Sequence, residues 1–390
     1  MTGNKIIAEK FRARFGMAPR VYRAPGRVNL IGEHTDYNEG FVMPAALGFQ
    51  CWVAVGPRTD RKLIICSQEF PDEAHVDLSA GALQPSRTWS DYPVGVAMEL
   101  EKAGFRLGGA NLLIHGEVPI GAGLSSSASI EVGTALALSE TAGYSIDRIQ
   151  LARICQRTEN EFVGTRSGIM DQFISLQGQA NHALMLDCRS LQFELVPIPE
   201  SVRLVICNTG VKHTHAGGEY NRRREECEEA VRSLQKALPN IRALRDVSLE
   251  QLEEYRGLLS EITYKRAKHI ITENERVLHS MEALRAGDLR QFGEYMAESH
   301  AGLRDLFEVS SAELDLMVEL ANRQPGVYGA RMTGGGFGGA TINVVDAPYA
   351  AAFADSVAKG YQKETGIDAG IYVCVPADGA SLVESSDGLG

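Results

Sequence analysis

No stretch of this chain approaches the ~18 consecutive apolar residues that a membrane-spanning helix needs, so no partnership with a bilayer is expected. Positive charge is also scarce. The 39 Lys and Arg face 50 Asp and Glu, a formal net charge of −11. A nucleic-acid surface needs clustered cations to meet the phosphate backbone, so no nucleic-acid partner is expected either. A small anionic ligand remains compatible if backbone N–H groups, a metal and a few basic side chains neutralise it locally. Paired cysteines are missing: seven are present (Cys51, Cys66, Cys155, Cys188, Cys207, Cys227 and Cys374), an odd number with no C-x-x-C spacing. This excludes a disulfide frame and a zinc site and predicts reduced thiols in a cytoplasmic protein. The start, MTGNKIIAEKFRARF, lacks the apolar core of a signal peptide. Internal repeats and low-complexity segments are absent.

What is there is ordinary for a globular chain: 390 residues, 44% hydrophobic and 23% charged. Such a chain buries roughly three quarters of its unfolded surface and needs no covalent staple. Its length predicts two domains or two lobes. Residues 20–24, 41–46, 49–56, 63–67 and 111–115 read as strands, being rich in Val, Ile, Phe and Tyr. Helices are expected over 125–141 and 146–163, the latter stopped by Gly164. Strand signals return at 182–187 and 203–208, and 217–322 is almost wholly helical. Two strands (327–332 and 340–345), a helix (348–363) and a last strand (371–375) close the pattern. Strands, a helical block and strands again predict an α+β fold. The late strands are expected to rejoin a sheet in the second lobe. The division is placed near residue 190, giving an N-terminal lobe of 1–190 and a C-terminal lobe of 191–390.

Three glycine-containing segments stand out. In the first, Arg23 to Asn38, Arg27, Glu33, His34 and Asp36 crowd into ten positions beside Gly26 and Gly32. A buried strand does not tolerate that density of charge. It reads as a loop: either a solvated turn with a salt bridge, or a site folded over a polar ligand such as a sugar, whose hydroxyls suit carboxylates and an imidazole. The second, Pro119 to Ser129, follows a strand and opens a helix. Its glycines and free N–H groups would cradle a triphosphate, with serines able to ligate Mg²⁺; a plain serine-capped helix start is the alternative. No Lys follows the glycines, so it is not a Walker A loop, and the third glycine of a dinucleotide fingerprint is missing. The third, Met332 to Ala340, puts five glycines into six positions between apolar strands. That entropic cost points to a backbone that must approach something closely, rather than to a mobile linker.

A few side chains look misplaced for packing alone. Glu159 shares the apolar stripe of Cys155 and Phe162, and an inward carboxylate needs a metal or a salt bridge. Asp171, flanked by apolar residues, is either a helix N-cap or a catalytic carboxylate. Tyr220, seven residues before Cys227, points inward, as a core tyrosine or a ligand contact. His213 and His215 read as loop residues. Arg222, Arg223 and Arg224, followed by Glu225, Glu226, Glu228 and Glu229, read as a solvated helix face with i,i+3 and i,i+4 pairs.

The run RAPGRVNLIGEHTDYNEG resembles the galactokinase signature, GAGLSSSAS resembles the phosphate loop of the GHMP small-molecule kinases, and MTGGGFGGATI resembles their third motif. SGIMDQFIS, ALMLDCRSL and EYNRRREECEEA resemble galactokinase segments in the same order, so the resemblance runs from about residue 6 to 376. It implies a two-lobed α+β fold of mixed sheets and packed helices with the active site between the lobes. It implies ATP-dependent phosphorylation of D-galactose at the anomeric hydroxyl, the entry step of the Leloir pathway. By the same resemblance, Glu33, His34, Thr35, Asp36, Gly168 and Tyr220 would bind the sugar. Gly121, Ala122, Gly123, Leu124, Ser125, Ser126 and Ser127 would wrap the phosphates of ATP, and Ser67 would contact the nucleotide. Ser127 and Glu159 would hold Mg²⁺. Asp171 would be the catalytic base, with Arg27 stabilising charge beside it.

Two positions depart from the pattern. Ser167 stands where these enzymes often carry Cys, which leaves the Asp171 geometry intact but alters packing at that turn. Thr165-Arg166 adds a positive charge near the site. Rival readings are a kinase for N-acetylgalactosamine or L-arabinose, and a non-catalytic galactose/ATP sensor. The sensors have a shortened Ser-Ala run in the phosphate loop, whereas Ser125 to Ser129 is intact here. The partners expected are the sugar and ATP, with the chain a monomer or weak homo-oligomer.

Overall fold

A computed structural model describes residues 3–81, 83–119, 121–212 and 216–383. His213 and His215 lie outside the described residues, as does Ile120 of the second glycine segment. In chain order the elements are α1 (Gly3–Phe15), β1 (Arg20–Asn29), β2 (Phe41–Val42), β3 (Pro44–Arg58), β4 (Lys62–Ser67), β5 (Ala74–Asp77), α2 (Asp91–Lys102) and β6 (Gly109–Gly116). Then come α3 (Ser126–Thr141), α4 (Arg148–Arg157), α5 (Met170–Gln177), β7 (His182–Asp187), β8 (Phe193–Pro197) and β9 (Val202–Lys212). The helical block is α6 (Ala216–Leu234), α7 (Leu249–Glu254), α8 (Glu261–Arg285), α9 (Leu289–Asp305) and α10 (Ala312–Asn322). The chain ends with β10 (Val327–Thr333), β11 (Gly338–Asp346), α11 (Ala350–Thr365), β12 (Gly370–Cys374) and β13 (Ser381–Val383).

Among the described residues these strands form a six-stranded sheet of order β13-β1-β3-β6-β4-β5, a four-stranded sheet β10-β11-β9-β12 and a three-stranded sheet β2-β7-β8. Alternation along β3 shows why the first sheet is covered on both faces. Val53 and Val55 pack with α2 to α5, while Ala54 packs with Ile7 and Phe11 of α1. Ile7 and Phe11, one helical turn apart, are both fully buried, and each contributes roughly 1.5–3 kcal/mol by leaving water. A third cluster joins the two halves of the molecule: Val28, Leu30, Ala122 and Leu124 meet Leu204, Ile206 and Ile342 of the second sheet. The end of β1 and the second glycine segment are thereby held against β9 and β11. The late strands do rejoin a sheet with β9, and β13 returns to the first sheet beside β1.

Several elements differ from expectation. The segment expected to be a loop from Arg23 onward remains strand to Asn29, so Arg27 lies in β1, just after an irregularity between Pro25 and Arg27. Its charge is tolerated there because it is paired. The strand break falls at Met43, not between 46 and 49, and β3 runs unbroken to Arg58. The helix expected over 146–163 stops being α-helical at Arg157 and continues as a π-helical turn, Thr158–Val163, ended by left-handed Gly164. The N–H groups of Gly164 and Thr165 both reach the Glu159 carbonyl. Such π-turns gather at functional sites. The helix α3 starts at Ser126; Ser125 caps it in a left-handed conformation. Asp171 is not an N-cap, since Ile169 holds that position in α5. The arginine run on α6 makes the expected i,i+4 pairs, but Arg223 is buried and donates to the carbonyls of Phe307 and Glu308.

Candidate active site

Strand β1 delivers Arg27 and helix α5 delivers Asp171, and the two meet side by side. Arg27 Nε donates to Asp171 Oδ1 at 2.7 Å and Nη2 to Oδ2 at 2.8 Å, a bidentate pair. Arg27 Nη1 also donates to the Gly123 carbonyl at 2.6 Å, and its backbone N–H to the Leu124 carbonyl at 3.0 Å. Burial opposes the guanidinium charge, but Asp171, Glu33 and Asp36 outweigh it and raise its pKa. The left-handed turn at Ser125 aims its hydroxyl at Asp171 Oδ2. The carboxylate is thus held by two side chains, Arg27 and Ser125, and tied to the start of α3.

In front of Asp171 lies a cavity of about 180 Å³, lined in part by Arg27, Glu33, His34, Asp36, Gly168 and Tyr220. The third glycine segment closes it with Gly334 and Gly335. This is the close approach that its glycines permit. The Gly334 N–H, at a φ of +83°, donates to Glu33 Oε1 at 2.8 Å, and Thr333 Oγ1 donates to the same oxygen at 3.2 Å. Fully buried Arg331 on β10 stands 3.4 Å from it and also donates to the Asn29 carbonyl. Arg331 carried no signal in the sequence, because it sits in a run that reads as an ordinary strand.

His34 takes a positive φ of 66° and packs among Tyr37, Tyr220 and Phe307. Burial, then His269, Arg223 and Arg331, pushes its pKa down to about 3, so the ring is neutral. Its Nδ1 lies 2.9 Å from the Tyr37 hydroxyl, while buried Nε2 makes no hydrogen bond of good geometry, the Gly335 backbone being its ring's other polar neighbour. An orphaned ring nitrogen in a cavity wall is suited to a ligand hydroxyl. Burial, then Asp171, pushes Asp36 up to about 7. Burial raises Tyr220 well above its ordinary value, which keeps it a hydroxyl donor.

The raised Asp36 value has a sign that can be checked. Between its unfolded value of 3.8 and about 7, the folded chain holds a proton that the unfolded chain has released. Asp36 therefore costs stability as pH rises through that window. Asp36→Asn should raise the stability of the unliganded protein by roughly 1–3 kcal/mol at pH 8 and by much less at pH 4.5. Urea denaturation at the two pH values checks this; equal gains would contradict it.

Thr35 lies outside the cavity wall. Its hydroxyl reaches the carbonyls of Gly32 (2.8 Å) and Phe41 (2.6 Å), so the side chain shapes the loop. Arg166 turns away, pairing with Glu228 on α6 at 2.8 Å. The Ser167 hydroxyl lies 2.9 Å from Glu159 Oε2 and 3.3 Å from Asn160 Oδ1 and donates its one proton between them, so the turn before Asp171 is pinned by hydrogen bonding as well as by packing.

Behind the second glycine segment a further cavity of about 170 Å³ contains Ser67, Ser126 and Ser127 in its wall. The wall also carries Phe70, Trp89 and Tyr92, which sequence reasoning missed. Phe70 and Trp89 stack with ring centroids 5.6 Å apart and planes 10° apart. A flat, largely apolar slot beside serine hydroxyls suits a nucleobase joined to phosphates. Gly121 to Leu124 form a turn before α3, in which Gly121 and Gly123 take positive φ.

Glu159, on the π-helical turn, faces α3. Ser127 Oγ donates to Glu159 Oε1 at 3.2 Å. Burial, then Asp171, raises the Glu159 pKa. One carboxylate and one hydroxyl beside the start of α3 fit Mg²⁺, which keeps several waters and takes few protein ligands. Among the described residues no group of three or more His, Cys, Asp or Glu could hold a metal by itself.

Family models match the chain in three places. The galactokinase galactose-binding signature covers residues 9–57, the GHMP kinases N terminal domain 91–179 and the GHMP kinases C terminal domain 280–363. A galactokinase of Chloroflexus aggregans is 47% identical over 382 residues, 98% of each chain. One from Roseiflexus sp. is 45% identical over 97% of this chain and 96% of its own. A crystal structure of Lactococcus lactis galactokinase complexed with galactose superposes with a TM-score of 0.94 at 37% identity, covering 98% of this chain and all of that one. Methanococcus jannaschii mevalonate kinase, 18% identical over 93% of this chain and 99% of its own, shares the fold at a TM-score of 0.64.

Proposed function

This chain belongs to the galactokinase family of GHMP kinases, and from that premise we propose how its own residues phosphorylate galactose. The reaction joins ATP and D-galactose to give ADP and α-D-galactose 1-phosphate. One observation carries the assignment of roles: Asp171, held by Arg27 and Ser125, stands where the polar cavity meets the start of α3. The sugar occupies that cavity. Glu33, His34, Asp36 and Tyr220 take its hydroxyls, and Gly168 leaves room for Asp36. The nucleobase lies between the second cavity's walls near Ser67, and the phosphates cross the segment Gly121 to Ser127. Its N–H groups and the start of α3 offset their charge.

Phosphoryl transfer passes through a loose transition state, so positioning and charge stabilisation supply most of the rate. Asp171 orients the anomeric hydroxyl and accepts its proton as the O–P bond forms. Arg27 offsets the negative charge between Asp171 and the transferring group. Ser127 and Glu159 are the residues that would hold Mg²⁺, which would supply positive charge to offset the charge of the phosphates. Glu159→Gln should therefore raise the Mg²⁺ concentration for half-maximal rate by about tenfold or more, with galactose KM little changed. An unchanged Mg²⁺ titration would mean that Glu159 is a structural carboxylate. A coupled ADP assay over galactose, N-acetylgalactosamine and L-arabinose tests the substrate; preference for either of the latter would overturn it.

Every group in this mechanism comes from one chain, which supports a monomer or weak homo-oligomer as the working unit. Free buried thiols support a reducing, cytoplasmic setting, and no described helix is long and apolar enough to cross a membrane. A lobe division near residue 190 is supported by the two large sheets, one drawn mainly from strands before Gly116 and the other from strands after Val202.

A further inference from the structure

Glu159 has a neighbour that the mechanism above does not use. Gln172 Nε2 donates to Glu159 Oε2 at 2.9 Å, and the same nitrogen donates to Glu131 Oε2 at 3.0 Å. Glu131 and Gln172 are both fully buried, and Oε1 of each lacks a protein partner. A carboxyl group and an amide in the dry interior, each only partly satisfied, cost stability that two apolar side chains of similar size would not. Packing alone does not explain them.

The placement does. Ser127 and Glu131 are four residues apart on α3, one helical turn, and so share a face. Helix α3 therefore reaches both oxygens of Glu159: Ser127 touches Oε1 directly, and Glu131 reaches Oε2 through Gln172. Gln172 follows Asp171 on α5, so the same amide fixes Glu159 relative to the base. We propose that Glu131 and Gln172 form a buried strut that positions Glu159 for metal binding and sets its register with Asp171. The two are positioning residues, acting through Glu159 without touching substrate. The proposal rests on the reading of Glu159 as the metal-binding carboxylate.

The test is Mn²⁺ affinity of the full-length protein with ADP, read by electron paramagnetic resonance, with calorimetric galactose affinity as control. Gln172→Leu and Glu131→Leu are expected to weaken Mn²⁺ binding about tenfold or more while galactose affinity stays within about twofold. The double variant should be no weaker than either single one, since both cut the same strut. Glu131→Gln keeps an oxygen acceptor for Gln172 and should recover most of the affinity. If the leucine variants do not fold, Gln172→Asn, one methylene too short to span the carboxylates, carries the same expectation. Glu159→Gln separates the two ideas. If it weakens Mn²⁺ binding and the Gln172 and Glu131 variants do not, the strut is overturned and the metal site stands. If it too has no effect, the metal reading fails and the strut with it.

Discussion

Asp171→Asn is expected to lower kcat by about 10³-fold or more, while galactose still binds. The substitution keeps the shape of the side chain but removes its capacity to take a proton. It also replaces one of the two oxygens that Arg27 grips at 2.7 and 2.8 Å, leaving a buried guanidinium half-paired. Breaking such a pair costs up to about 3–5 kcal/mol, so folding must be checked by circular dichroism before the rate is read. The sugar contacts assigned to Glu33, His34 and Tyr220 are untouched, so the loss should appear in kcat and not in the calorimetric galactose affinity. Near-normal turnover in a folded variant would remove Asp171 from the role of base.

Gly168→Ala should raise the galactose KM by about 10²-fold, with a smaller effect on the KM for ATP. A Cβ at this position would sit 2.0 Å from Asp36 Oδ2 and 2.2 Å from its Cγ, a contact no side chain sustains. The backbone here does not take the left-handed conformation, so alanine is conformationally acceptable and the effect is steric. Asp36 has somewhere to go. It also lines a larger cleft on its other side, where Arg153, Arg157, Arg189 and Arg224 gather, and a displaced carboxylate would turn toward them. One added methyl group would thus move Asp36 out of the proposed sugar site. Gly108→Ala is the matched control, since nothing lies within 4 Å of its Cβ position. An unchanged galactose KM in Gly168→Ala would mean that Asp36 does not contact the sugar.

Much of this site was legible because its chemistry conflicts with packing. Glu33, His34 and Asp36 are too polar for the apolar strands around them, and Glu159 falls on an apolar helical stripe. The five glycines after Thr333 cost too much entropy to be idle, and the Gly334 N–H on Glu33 is their use. The illegible parts are those whose cause lies far away in sequence. Arg27 was expected in a loop because its partner, 144 residues distant, could not be seen to neutralise it within a strand. Arg331 is tolerated in β10 for the same kind of reason. The π-helical turn at Thr158–Val163 adds a residue to a helix without disturbing the composition that signals one. Phe70 and Trp89 look like ordinary aromatics until the loops before β5 and α2 bring them face to face. Thr35 is a further case: it stands beside His34 and Asp36 of the cavity wall, yet its hydroxyl reaches the loop carbonyls of Gly32 and Phe41.

Phosphorus-31 NMR of the product formed from galactose, ATP and Mg²⁺ shows where this chain places the phosphoryl group. A single sugar phosphate is expected, its phosphorus coupled to the anomeric proton in the α configuration, and absent with Asp171→Asn. A phosphate on another hydroxyl, or galactose left unmodified while the folded protein binds it, would contradict transfer from ATP to the anomeric oxygen.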